Sequence, residues 1–270
     1  MSVSRQKNIA LKELSLKYTI WQGGKQALLC FHGFGQEHSV YQGIFESLKE
    51  THTVYSFDLF FHGKTEWHRK KESLLRGDWF EIMQLFLAEE QLDRFEVMGF
   101  SMGGKYAMVT AQLYPESVKH VHLISPDGIK THFSYKITTY PFLLRRIFKS
   151  QIKNPWIFTG LVRLMRGLKV MNNYTLRFAE SQMDTEFKRA QAYYSWVVLR
   201  HFMPQLPKLA QQLNENNTPL TFYLGKYDKV INAPEVEPLR KLVPECQTQI
   251  IESGHGKMLD GVAKLFSSHH

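Results

Sequence analysis

The sequence predicts an α/β fold, a mostly parallel sheet flanked by helices and interrupted by a helical insertion. Three observations carry that expectation. Short apolar runs bounded by glycine or polar turns recur between amphipathic stretches, the pattern of βαβ units. The runs are apolar throughout rather than alternating, as strands covered on both faces are. Between about residues 127 and 215 the runs stop, and only helical periodicity remains.

Taken in order, Ala10 to Trp21 alternates loosely as a half-exposed strand, and Gly23-Gly24 supplies a turn. Ala27–Phe31 is a buried strand, 40–50 a helix, and Thr53–Phe57 the next strand. Residues 77–92 form a helix with Asp78 as N-cap and Trp79, Ile82, Met83, Phe86 and Leu87 on one face. Phe95–Met98 and Val118–Ile124 are strands around a helix from Lys105 to Leu113. The insertion reads as helices over 140–151, 155–168, 173–181 and 184–202. Strands return at Leu220–Leu224 and Thr248–Ile251, with a helix between them and another from Lys257 onward. The expected organisation is a core of residues 1–126 and 216–270 with a cap of residues 127–215.

Composition is that of an ordinary globular chain, 43% hydrophobic and 22% charged, and no run reaches the roughly 20 apolar residues of a membrane-spanning helix. The N-terminal stretch carries charges throughout and lacks the apolar segment of a secretory signal. Cys30 and Cys246 make neither a disulfide framework nor a metal pattern and read as two buried thiols, so a cytoplasmic location is expected. The net charge of +9 is local: residues 127–213 hold 14 Lys and Arg against four acids. No nucleic-acid motif accompanies that charge, and no nucleic-acid partner is expected.

Gly99-Phe100-Ser101-Met102-Gly103-Gly104 lies between a strand and a helix. A sharp strand-to-helix turn needs small flanking residues, and it lifts a serine hydroxyl above the strand's carboxyl end. A hydroxyl is a weak nucleophile, so it needs a base that a third group orients. His255 follows the last strand and is the candidate base; Asp228 follows the preceding one and is the candidate acid, with Asp127 in reserve. The N–H groups of Met102 and of Phe34, in His32-Gly33-Phe34-Gly35, are candidate oxyanion donors. His32 reads as a structural residue of that loop. His120 and His122 form an H-x-H pair on a strand, but with no carboxylate apparent beside them burial is the better reading. No metal site and no cofactor are expected.

Together these segments resemble the α/β-hydrolase superfamily over nearly the full length. The resemblance rests on His32–Gly35, the turn Asp58–Thr65, the elbow 99–104, Gly225-x-x-Asp228 and Gly254-His255. It implies an eight-stranded-type sheet with an inserted cap and a Ser101–Asp228–His255 triad. The turn departs from the family's D-x-x-G-x-G-x-S at Phe60-Phe61-His62 and Thr65, and a serine nucleophile argues against dehalogenase or epoxide hydrolase chemistry. The implied activity is cleavage of a carboxylic ester or thioester through an acyl-enzyme. A C–C bond hydrolase, a lyase resembling SHCHC synthase, or a non-catalytic receptor are the alternatives. The implied partner is a small ester, thioester or acyl molecule, anionic or lipid-like. The apolar, aromatic and basic run Tyr140–Lys149 also fits peripheral contact with an anionic membrane.

Overall fold

The structure, a computed structural model, describes residues 4–69, 73–131, 133–168, 176–177 and 180–268. Among the described residues nine strands form one sheet: β1 Ser4–Leu11, β2 Leu14–Trp21, β3 Gln26–Phe31, β4 His52–Asp58, β5 Glu66–Trp67, β6 Phe95–Phe100, β7 Val118–Ile124, β8 Leu220–Gly225 and β9 Gln247–Ile251. Their spatial order is β1-β2-β4-β3-β6-β7-β8-β9, with the two-residue β5 paired to β2. From β4 to β9 every pairing is parallel, while β1, β2 and β5 are antiparallel.

The expected strand over Ala10–Trp21 is in fact the second arm of a hairpin. Lys12 turns the chain with φ +54°, and β1 runs back along β2 from Ser4 to Leu11. A lysine in the left-handed region leaves no glycine or asparagine to mark the turn. A second correction concerns the helix Arg76–Glu90, which starts after Leu75. Asp78 therefore sits in its first turn, and its carboxylate accepts from the Leu75 N–H at 3.0 Å and pairs with Arg69 at 2.8 Å.

The central strands are apolar because helices cover both faces. Met98, Phe100 and Ile124 pack with Ile44 and Phe45 of helix Gln42–Leu48 and with Met258 and Val262 of helix Met258–Ser267. On the other face Trp79 of helix Arg76–Glu90 stacks edge-on to Phe31 and Tyr106, and its indole N–H donates to Thr110 Oγ1 at 2.9 Å. Cys30 lies inside the core, whereas Cys246 is half-exposed rather than buried; neither is in a disulfide.

The chain divides into two units: Met1–Lys70, Leu74–Lys130 and Phe202–His270 form one, Lys71–Ser73 and Thr131–His201 the other. The first contains the sheet and also helix Leu206–Glu215, whose preceding Gln205 exchanges hydrogen bonds of 3.1 Å with Gln112.

The second unit is helical: Phe133–Thr139, Phe142–Ser150, Trp156–Gly167 and Glu186–Val198. The expected helix over 173–181 falls largely outside the described residues. Thr185 caps the last helix by accepting from Lys188 N. The Arg189 guanidinium is buried and donates to the carbonyls of Ile152, Met183 and Asp184, so this cation ties helices together instead of facing a ligand. No helix among the described residues is long and apolar enough to cross a membrane.

Candidate active site

Strands β3, β6, β8 and β9 run in the same direction, so the loops after them emerge at one edge of the sheet. Phe34, Ser101, Asp228 and His255 lie on those four loops.

Ser101 occupies the left-handed region at φ +50°, unusual for a side chain with a Cβ. The turn is held from several sides. Ser101 N–H donates to Ile124 O, and its carbonyl accepts from Gly104 and Asp127 N–H at 2.9 and 2.8 Å. The elbow's glycines are required by crowding. A Cβ on Gly103 would lie 1.8 Å from Phe31 O, and one on Gly99 2.4 Å from Gly103 O. The helix Gly103–Leu113 can therefore pack directly against β3.

His255 is 5% exposed and bridges the other two residues. Its Nδ1 stands 2.7 Å from Asp228 Oδ2 and its Nε2 3.1 Å from Ser101 Oγ. Asp228 Oδ1 accepts from the N–H groups of Val230 and Ile231 at 2.8 and 3.0 Å. Burial opposes ionisation of Asp228. The hydrogen bond and charge of His255, with those two N–H groups, outweigh it and hold the carboxyl below its ordinary value. Asp127, the reserve acid, is engaged elsewhere and pairs with Lys105 Nζ at 2.7 Å.

Met102 heads the helix that follows Ser101, where backbone N–H groups have no intrahelical acceptor. Phe34 lies half-buried in the loop after β3. Two histidines shape that loop, and only one was singled out by sequence. His32 Nδ1 donates to Gly33 O at 2.7 Å, and its Nε2 accepts from Leu59 N–H at 3.0 Å. His62 Nδ1 donates to Phe60 O, and its Nε2 accepts from Gly35 N–H at 2.9 Å. Burial, aided by His62, pushes His32 down to about 3; burial alone pushes His62 down to about 4. Both rings are thus neutral, with tautomers fixed by their partners.

The departure from the family turn now has a geometry. Asp58 Oδ1 accepts from His38 N–H and Nδ1, each at 2.8 Å, and Oδ2 from Lys64 N–H at 3.1 Å. Gly63, at φ +53°, lies so close that a Cβ there would meet the Asp58 carboxylate at 2.2 Å. Thr65 Oγ1 donates to Asp58 O and accepts from Lys17 N–H. A hydroxyl at 65 and a glycine at 63 thus keep the turn closed. Phe61, where that pattern has glycine, takes φ +69°, and His62 beside it turns inward to brace Gly35.

Residues 26–262 match the family described as alpha/beta hydrolase fold. The chain belongs to that family. Among α/β-hydrolase-fold proteins, human monoacylglycerol lipase is 22% identical over 251 residues, spanning 88% of this chain and 72% of the lipase. An uncharacterized protein of Mycobacterium tuberculosis is 29% identical over 107 residues, 40% of this chain. That match covers 31% of the mycobacterial protein, about a third of its length. In structure, an esterase from Thermogutta terrifontis has a TM-score of 0.68 at 15% identity, covering 98% of this chain and 96% of the esterase. The thioesterase domain of the curacin biosynthetic pathway has a TM-score of 0.63 at 15% identity, covering 98% of both chains. At these identities the structural likeness is one of fold alone.

Proposed function

We propose that this protein is a serine hydrolase that cleaves a carboxylic ester or thioester through an acyl-enzyme on Ser101. The observation that carries the reading is the His255 ring, with Nδ1 on Asp228 and Nε2 on Ser101 Oγ. Asp228 is anionic and accepts the Nδ1 proton, which leaves the Nε2 lone pair facing the serine hydroxyl.

Ser101 Oγ attacks the carbonyl carbon while its proton passes to His255 Nε2. The carbonyl π electrons move to oxygen, and the oxyanion is held by the N–H groups of Phe34 and Met102. On collapse the bond to the leaving oxygen or sulfur breaks, and the imidazolium gives that atom its proton. Water then attacks the acyl carbon as Nε2 takes its proton. Release of the carboxylic acid returns a proton to Ser101 Oγ. Each step uses side chains and backbone of this chain and calls for no cofactor.

The named activities of a lipase, an esterase and a thioesterase among the similar proteins support an acyl substrate. The helix Phe142–Ser150 exposes Phe142 and Leu143, each 66% exposed, beside Arg146, and this supports a lipid-like or anionic substrate met at a membrane surface.

A fluorophosphonate probe should label the wild-type chain at Ser101 and leave Ser101→Ala unlabelled. A panel of esters and thioesters graded by acyl length should then show turnover that falls on the order of 10⁴-fold or more in Ser101→Ala. Labelling at Ser101 with no turnover of any ester or thioester would overturn the reading in favour of C–C bond or lyase chemistry.

A further inference from the structure

A second group of titratable side chains lies at the opposite end of the sheet, where the parallel strands begin. His52 is the first residue of β4, Glu96 the second of β6, and His120 and His122 stand two apart on β7. The register between β6 and β7 shifts between Phe95 and Val97, so that a two-residue step on β6 spans three residues of β7. This bulge brings both histidines of the H-x-H pair to one carboxylate, which sequence spacing alone does not reveal.

One ligand atom from each of Glu96, His120 and His122 lies within 4.8 Å of the other two. The imidazoles of His120 and His122 stack with centroids 3.8 Å apart at 21°. His122 Nε2 stands 3.0 Å from Glu96 Oε2, and its Nδ1 3.1 Å from the Tyr223 hydroxyl. His52 adds a fourth donor. The Thr51 hydroxyl donates to Leu48 O and accepts from His52 Nδ1, so in the neutral ring Nε2 keeps its lone pair. That Nε2 is buried, makes no hydrogen bond, and lies 3.7 Å from Glu96 Oε1. A lone pair buried there against a carboxylate is unfavourable unless a proton makes the contact an ion pair or a cation comes between them.

We propose that Glu96, His120, His122 and His52 form a binding site for a divalent transition-metal ion of the zinc type. Three imidazoles and one carboxylate suit zinc and its neighbours, whereas magnesium and calcium favour oxygen donors. Donors about 2.0–2.2 Å from a tetrahedral zinc stand roughly 3.4 Å apart, so Glu96, His120 and His122 close on an ion by adjustments on the order of one ångström, and His52 would approach from the Glu96 side. The Nδ1–H of His122 on the Tyr223 oxygen would fix the tautomer that presents Nε2 to the metal. The ion would tie β4, β6 and β7 together at the end of the sheet away from Ser101. Its role would be structural, and the acyl chemistry would not depend on it.

The test uses the full chain stripped with a chelator, with His269 and His270 replaced by alanine in every sample so that only internal donors count. Zinc chloride is titrated by calorimetry, and cobalt chloride by visible absorption. The expected result is one zinc per chain with micromolar or tighter affinity, a tetrahedral cobalt spectrum, no response to magnesium, and a melting temperature raised by several degrees under excess zinc. The single variants Glu96→Gln, His120→Asn and His52→Asn should each weaken zinc at least tenfold while fluorophosphonate labelling of Ser101 stays unchanged. Should a variant fail to fold, the wild-type stoichiometry and cobalt spectrum decide the matter alone. Absence of stoichiometric zinc would overturn the proposal and leave Glu96 and His122 as a plain ion pair. So would a zinc affinity that these variants do not change but His255→Asn abolishes.

Discussion

Replacing Gly103 by alanine tests how closely the elbow's geometry is tied to activity at Ser101. The new Cβ would sit 1.8 Å from Phe31 O, 2.4 Å from Phe31 C and 2.8 Å from His32 O, where real contacts essentially never fall under 3.0 Å. All three obstacles are backbone, so the helix Gly103–Leu113 must retreat from β3 by at least about 1.2 Å to restore contact at the nearest one. Ser101 lies two residues upstream, and its Oγ reaches His255 Nε2 across 3.1 Å. A retreat of that size stretches the bond beyond hydrogen-bonding range and displaces the Met102 N–H with it. Misplacement by about 1 Å costs on the order of 10²-fold in rate. The repacking itself costs about 1–3 kcal/mol, a few degrees or more in Tm. The assay compares the rate constant for fluorophosphonate labelling and the melting temperature of Gly103→Ala with those of Gly77→Ala. Gly77 stands near the start of a helix with nothing within 4 Å of its ideal Cβ. Gly77→Ala should label normally and melt no lower than wild type. If Gly103→Ala labelled at the wild-type rate and kept its melting temperature, the account of the crowded elbow would be wrong.

Other expectations follow from the same structure. Asp228→Asn can keep the bonds from Val230 and Ile231 to Oδ1 while turning an amide donor toward His255 Nδ1, which must then accept and carry its proton on Nε2. Turnover should drop by roughly 10⁴-fold with the melting temperature nearly unchanged, and a loss under tenfold would remove Asp228 from its proposed role. His32 and His62, lowered to about 3 and about 4, are neutral in the fold but titrate near 6.5 once exposed. Below pH 6.5 the unfolded chain therefore binds more protons, and stability should fall as pH drops from 6.5 toward 4, by on the order of 3 kcal/mol for each ring. Denaturant titrations at pH 7, 6, 5 and 4 read this directly, and a flat profile would contradict neutral burial of both. Vesicles containing anionic lipid should sediment the wild-type chain at low salt, and Leu143→Asp with Arg146→Glu should abolish it. Equal sedimentation of both proteins would place any membrane contact elsewhere.

The alternation of apolar runs and amphipathic helices identified most of the sheet, because strands covered on both faces must be apolar. β1 escaped because Arg5, Gln6, Lys7 and Asn8 leave it no apolar run and its turn rests on Lys12. The order of Ser101, Asp228 and His255 was legible because each follows a strand, and parallel strands deliver such loops to one edge. His62 was not legible, since its function is to accept from Gly35 N–H, and a backbone partner leaves no spacing in the sequence. Glu96 was missed for a different reason. Its meeting with His120 and His122 depends on the shift in register between β6 and β7, a property of pairing that neither strand shows alone.

The sheet ends in two open strands of different character. β1 carries the exposed Arg5 and a Lys7 paired with Glu90 at 2.7 Å, so a second copy approaching along that margin would have to strip charges of water. β9 carries no formal charge from Gln247 to Ile251 and leaves Ile250 59% exposed. Under crowding, or when heat loosens the chain, association strand to strand is opposed at the first margin and unguarded at the second. A lysine at position 250 would give the second margin the same protection.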